Sequence, residues 1–339
     1  ELAVHAPALG LEQAADRVAQ RGLAAVAHVQ RAGGVGRDEL DHQALAVAGR
    51  HAEALAAFQH FFHDLLLGGG LQADVDEAGA GDLDRLDPAL EGRLPQQRAA
   101  QAGISNLLLI GSDVAESQLN IIFCQQYAGC YTTAGIHPHQ AANADTGWQQ
   151  QLQQSLLQPE VVALGECGLD FNRDFSPRPI QQQVFAEQLQ LAKQHTKPVY
   201  LHERDAFATQ LAMLQEQQIN HGVVHCFTGD TRQLKAYLEL GLYIGITGWI
   251  CDERRGQDLQ QAVRYIPADK LLLETDAPYL LPRTLEHKPK SRRNEPAFLA
   301  EIARQVALLR GCSLAELEAQ CWRNSQTLFG FTTSLAAKG

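Results

Sequence analysis

Imidazoles and carboxylates recur in five short strings, each directly after an apolar run. The strings are Gly135-Ile136-His137-Pro138-His139, Gly165-Glu166-Cys167-Gly168-Leu169-Asp170, Leu201-His202-Glu203-Arg204, Val224-His225-Cys226-Phe227-Thr228-Gly229 and Glu274-Thr275-Asp276-Ala277-Pro278. Taken singly, each has a plainer role. A lone His after an apolar run is a hydrogen-bonded structural residue, and a Glu or Asp there caps the next helix. Gly-Leu-Asp and Asp-Ala-Pro suit turns. The repetition changes the balance. Several buried charges together are costly unless something partners them. A bound cation neutralises carboxylates, and neutral imidazoles fill its remaining positions. Imidazole with carboxylate, and no thiolate pair, suits Mg²⁺, Mn²⁺ or Zn²⁺ rather than a Cys-rich structural zinc site.

Groups so far apart in the chain meet only if a regular framework carries them. Apolar runs rich in Leu, Ile and Val recur at 106–111, 131–136, 161–166, 198–202, 223–227, 242–246 and 271–275. They are continuous rather than alternating, as parallel strands buried on both faces are. Helical spacing fills the gaps: between Gln181 and Lys193, apolar Val184, Phe185, Leu189 and Leu191 recur near one helical turn. Two helices are expected from Glu295 to Phe329. The rhythm predicts an α/β fold, a TIM (β/α)8 barrel with seven visible repeats, and barrel chemistry sits at the C-terminal ends of strands. The missing first strand is expected around 76–82. A doubly wound open sheet usually carries a Gly-rich nucleotide turn, which is not found.

The chain has 339 residues, which suits one barrel plus additions; 45% are hydrophobic and 20% charged, enough for a large core. The net charge is -11. Nothing global attracts nucleic acid, so any phosphate binding must be local, through a metal or a small basic patch. The cysteines are seven, without a CxxC pair, and read as reduced thiols of a cytoplasmic protein. No apolar run reaches a membrane span of about 18 residues, and no signal peptide pattern opens the chain. Before Ile104 the chain lacks Ser, Thr, Asn, Lys, Ile, Cys, Tyr, Trp and Met altogether. Residues 1–75 are either an Ala-rich helical extension or a non-native stretch that never evolved to fold. The glycine runs at 68–70 and 79–81 favour the second. The expected division is therefore 1–75 atypical, 76–332 barrel and 333–339 tail.

The five strings, in this order and spacing, resemble those of the TatD family of metal-dependent deoxyribonucleases. The resemblance covers about residues 100–331. It extends through Leu280-Leu281-Pro282-Arg283 and Ser291-Arg292-Arg293-Asn294-Glu295-Pro296, which are closer to the family's type member than to its paralogues. It implies a barrel of the metal-dependent hydrolase superfamily, binding one or two divalent ions with Mg²⁺ foremost. It also implies 3′-to-5′ exonuclease action on single-stranded DNA ends, and on RNA. Carried over motif by motif, Glu166, His202, His225 and Asp276 are metal ligands, and His137 contacts phosphate or the attacking water. On this reading the cation polarises a phosphoryl oxygen and Asp276 accepts the water's proton. Arg204 either holds a phosphate or pairs with an acid. Lys288, Lys290, Arg292 and Arg293 either cradle the nucleic-acid backbone or form a solvated loop. Tyr279 is placed for base stacking, Trp249 for packing.

The departure is at the first strand. The His-x-His pair of most relatives and the Asn-containing variant of the type member are both missing. The corresponding place is 79–83, where Asp82 is the available oxygen donor. Two rival functions follow: a metal-dependent amide or ester hydrolase such as an aminoacyl-tRNA deacylase, and a degenerate barrel that only binds. The first class often uses a carboxylated Lys at strand four, where this chain has Glu166. A monomer acting on nucleic acid, away from membranes, is the expectation.

Overall fold

Seven strands pair in one all-parallel sheet in strict chain order. They are β1 (Leu107–Leu109), β2 (Cys130–Ala134), β3 (Val161–Asp170), β4 (Val199–Arg204), β5 (Gly222–Val224), β6 (Tyr243–Ile246) and β7 (Leu271–Leu273). The computed structural model describes residues 95–331. The atypical segment 1–75, the first-strand region with Asp82, and the tail 333–339 lie outside the described residues. Helix α1 (Pro95–Gln101) precedes β1. Helices α2 (Val114–Gln126), α3 (Trp148–Leu156), α4 (Arg178–Gln194), α5 (Phe207–Glu216), α6 (Thr231–Glu239) and α7 (Gln257–Ala262) each follow a strand, β1 to β6 in turn. The expected closing pair is α8 (Leu299–Arg310) and α9 (Leu314–Phe329). Sequential parallel strands joined by helices make this the β/α arrangement of a TIM barrel.

The two faces of the sheet bury different partners. Leu164, Leu201, Val224, Ile244 and Leu271 pack with helix residues such as Phe185, Leu189, Leu234 and Val306. Residues of opposite parity, Ala163, Tyr200, Val223, Tyr243 and Leu272, form a second cluster with Leu328 and Phe329 of α9. Side chains alternate along a strand, so His202 shares the face of Tyr200. His225 stands two residues beyond Val223 and Glu274 two beyond Leu272, so the inner cluster leads directly to the ionisable groups.

The seven expected strands are all present, and the two largest shifts of boundary are at the ends of β3 and β5. β3 continues to Asp170, so Gly-Leu-Asp is strand, not turn. Gly168 makes this extension fit, since a Cβ there would lie 2.0 Å from the carbonyl oxygen of His202 on β4. β5 stops at Val224, leaving His225 to Phe227 beyond the strand. All seven cysteines are free thiols. Among the described residues no helix is long and apolar enough to cross a membrane.

Candidate metal centre

Glu166 is the hub. Its Oε1 lies 3.0 Å from His202 Nδ1, 3.5 Å from His137 Nε2 and 3.8 Å from His225 Nε2. Asp276 Oδ1 is 3.6 Å from the same His225 nitrogen. His137 Nε2 is 3.3 Å from His202 Nδ1. The four ligands implied by the resemblance, together with His137, are thus linked in one chain of contacts through Glu166 and His225, from the ends of β2, β3, β4, β5 and β7. The peptide between Gly165 and Glu166 is cis.

Two carboxylates that the sequence did not single out hold the imidazoles from behind. Asp170, 1% exposed, places Oδ2 3.1 Å from His202 Nε2 and 2.8 Å from His139 Nε2. Its Oδ1 accepts from the backbone N–H of Asn172 and Arg173 at 3.0 and 2.8 Å. Glu274 places Oε2 2.8 Å from His225 Nδ1 and accepts from the Tyr200 hydroxyl; its Oε1 accepts from Cys226 N at 2.9 Å. Each of the two histidines therefore has one nitrogen on an outer carboxylate and the other in the cluster, the usual pattern for a metal-binding imidazole. Gly245 leaves room for this: a Cβ there would sit 1.9 Å from Glu274 Oε1. Parity offered a signal for Asp170, which lies four residues from Glu166 in one strand and so on the same face.

Buried glutamines pin the backbone beneath the cluster. Gln188 of α4 accepts from Ile136 N at 2.7 Å and donates to Ile136 O at 2.9 Å, fixing the residue before His137. Gln181 does the same for Asp170, at 2.9 and 3.0 Å. Gln210 of α5 accepts from Leu169 N at 3.0 Å. On the other side, Glu116 accepts from Ser112 N at 2.7 Å. The Ser112 carbonyl takes His137 N, and the Gly111 carbonyl takes Glu166 N, both at 2.8 Å.

Charge within the cluster is finely set. Burial opposes ionisation of Glu166, but His137 and His225 outweigh it and hold the carboxyl well below its usual range. Burial also opposes charge on His202, yet hydrogen bonds to Asp170 and Glu166 push it up to about 9. His225 rises to about 10 against burial, through Glu274 and Glu166. Burial carries Asp276 up to about 6, with His225 pulling the other way. His137 falls to about 4 by burial and stays neutral at pH 7. The N–H of His139 donates to His137 Nδ1 at 3.1 Å, so the ring proton sits on Nε2, facing the cluster.

The donor set fits a divalent cation. Ligand atoms of His137, Glu166 and His202 lie within 4.8 Å of one another, as do those of His225, Cys226 and Asp276. Burial keeps the Cys226 thiol well above its ordinary range, and the remaining donors open to a divalent cation are carboxylates and imidazoles.

The other expected site residues stand around the mouth. Arg204 is exposed at the end of β4, with no side-chain partner among the described residues. Its neighbour Glu203 has the plainer role, accepting from Ala206 N at 2.8 Å where α5 begins. Arg292 is exposed with a left-handed backbone, and Arg293 is half-buried. Tyr279 is 36% exposed, whereas Trp249 packs under the Arg255 guanidinium, 4.7 Å from its ring centroid.

A barrel whose strand ends converge on imidazoles and carboxylates defines a metal-dependent hydrolase of the TIM-barrel class. Residues 82–330 match the family model described as TatD related DNase. The chain belongs to that family. Among its relatives, the 3'-5' ssDNA/RNA exonuclease TatD of Citrobacter koseri is 48% identical over 239 residues, 69% of this chain and 90% of that protein. The protein of the same name from a Rahnella species is 52% identical over 234 residues, 68% and 86% of the two chains. The crystal structure of a TatD homologue from Escherichia coli K12 superposes with a TM-score of 0.65 at 31% identity, covering 70% of this chain and 90% of that one. A TatD-family hydrolase from Entamoeba histolytica superposes equally well, at 0.65 and 26% identity, covering 70% and 89%.

Proposed function

We propose that this chain is a Mg²⁺-dependent 3′-to-5′ exonuclease that removes nucleotides from single-stranded DNA, and from RNA. The observation that carries the reading is the convergence of Glu166, His202, His225, Asp276 and His137 on one contact network, in a chain whose relatives bear that name. Glu166, His202, His225 and Asp276 would hold the ion, which supplies Lewis-acid stabilisation of charge on the phosphoryl group.

The protein's own groups do the rest. A water oxygen bonds to phosphorus, the ester P–O bond breaks, and a proton must leave the water. Asp276 takes it. Its side chain is 31% exposed, against 14% for Glu166, 19% for His202 and 7% for His225, so water reaches it most readily. His137 offers a hydrogen bond from Nε2–H to the phosphate or leaving oxygen, and the leaving oxygen takes its proton from solvent. Arg204, Arg292 and Arg293 contact backbone phosphates, giving an acidic protein the local attraction it needs. Seven free thiols support a cytoplasmic setting. The monomer is the proposed working unit.

The test uses single-stranded DNA labelled at either end. Stepwise loss from the 3′ end with Mg²⁺, abolished by EDTA, is expected. Asp276→Ala should lose about two orders of magnitude or more of kcat while keeping its fold by circular dichroism. Cleavage at the wild-type rate in Asp276→Ala, or in EDTA, defeats the reading.

A further inference from the structure

Asn294, in the basic segment's Arg-Arg-Asn-Glu-Pro string, is 1% exposed and sits against the loop that carries Asp276. Its Nδ2 donates to the carbonyls of Thr275, Tyr279 and Leu280 at 2.5, 2.6 and 3.3 Å. Its backbone N–H donates to the Pro278 carbonyl at 3.0 Å. These bonds fall on both sides of Asp276. They brace a turn that is also closed by Tyr279 N–H donating to the Asp276 carbonyl at 2.8 Å, and in which Asp276 and Leu280 are both left-handed, at φ 54° and 55°. That conformation is unfavourable for residues with side chains and persists only where neighbours over-determine it.

The same residue ends the exposed basic stretch of Lys288, Lys290 and Arg292. On its other side Glu295 forms a two-pronged pair with Arg98 of α1, both bonds 2.7 Å. The basic segment is thus anchored at its end, and its anchor is the Asp276 loop.

We propose that Asn294 is a positioning residue: it holds Asp276 at the cation cluster and makes the basic segment 288–293 move with it. A phosphate backbone gripped by that segment is then presented to Asp276 in fixed register. The phosphate part rests on the nuclease reading above, while the hold on Asp276 does not.

The test compares Asn294→Asp, which keeps the shape but loses the donor, with Arg292→Ala. Mg²⁺ affinity is read by calorimetry, and kcat and KM on a single-stranded oligonucleotide. Asn294→Asp is expected to weaken Mg²⁺ binding and lower kcat by about 10- to 100-fold, with KM little changed. Arg292→Ala is expected to raise KM and leave Mg²⁺ affinity alone. Wild-type Mg²⁺ affinity and kcat in Asn294→Asp would overturn the proposal. So would losses that only track the fraction of unfolded protein. Should that variant not fold, Asn294→Ser, which retains one donor, decides: weaker Mg²⁺ binding at an unchanged Tm supports the role, and wild-type affinity refutes it. A wild-type chain inactive on DNA, with Mg²⁺ binding still weakened by Asn294→Asp, would sink the nuclease reading and leave the hold on Asp276 standing.

Discussion

Asp170 touches two imidazoles and two backbone amides from a position with almost no solvent contact. Asp170→Asn keeps the shape but gives up the charge behind His202. Metal affinity or activity should fall about 10- to 100-fold, measured by Mg²⁺ titration and by turnover. The imidazoles also set a pH dependence. His202 and His225 are raised above their ordinary values, to about 9 and 10. A raised group stabilises the fold fully below its unfolded value near 6.5 and loses that contribution as pH climbs through the folded value. In EDTA, Tm is therefore expected to fall between about pH 6.5 and 10. A metal ion replaces those protons, so Mg²⁺ affinity should rise across the same window and the loss of Tm should shrink. A flat Tm profile in EDTA would contradict the charge balance described for the cluster. The main site residues were legible because each ends an apolar run. Asp170 and Glu274 lay inside the same strings and passed as a turn and a neighbour. Their roles depend on which face they share with an imidazole; the expected end of β3 at 166 fell short of Asp170, while Glu274 lay inside its expected run 271–275.

The helices carry more of the site than their sequences advertise. In α4, Gln181, Val184, Phe185 and Gln188 fall on one buried face at helical spacing, so two amides sit where apolar side chains are the rule. Each satisfies both backbone groups of a strand-end residue. Gln188→Leu would fit the apolar face but strand Ile136 N–H and C=O. Unpartnered buried groups cost about 1–3 kcal/mol each, so a fall of that order in urea-unfolding stability is expected, with His137 loosened. An unchanged stability would mean that other partners take over those groups. The seven strands were read correctly because burial on both faces leaves continuous apolar runs. The end of β3 was not, because Gly168 and Asp170 look like turn formers until the close approach of β4 is known. Asn294 lay inside the Ser291–Pro296 string, but nothing local pointed to a clamp, because the carbonyls its side-chain amide reaches lie 14 to 19 residues away in the chain.

At the level of the whole molecule, the net charge of -11 offers a polyanion no general attraction, so its binding must be local. The family match begins at residue 82, after the compositionally odd stretch. A chain starting at residue 76 is therefore expected to retain wild-type kcat, KM and Tm; loss of any of the three would give residues 1–75 a part in the barrel. The strict strand order has a further effect. The groups of the cluster come one or two from each of β2, β3, β4, β5 and β7, and Asp276 arrives only after β7. During synthesis, residue 276 must leave the ribosome before the converging groups are all present. A degradative activity assembled in this way stays silent in every fragment cut short before that point.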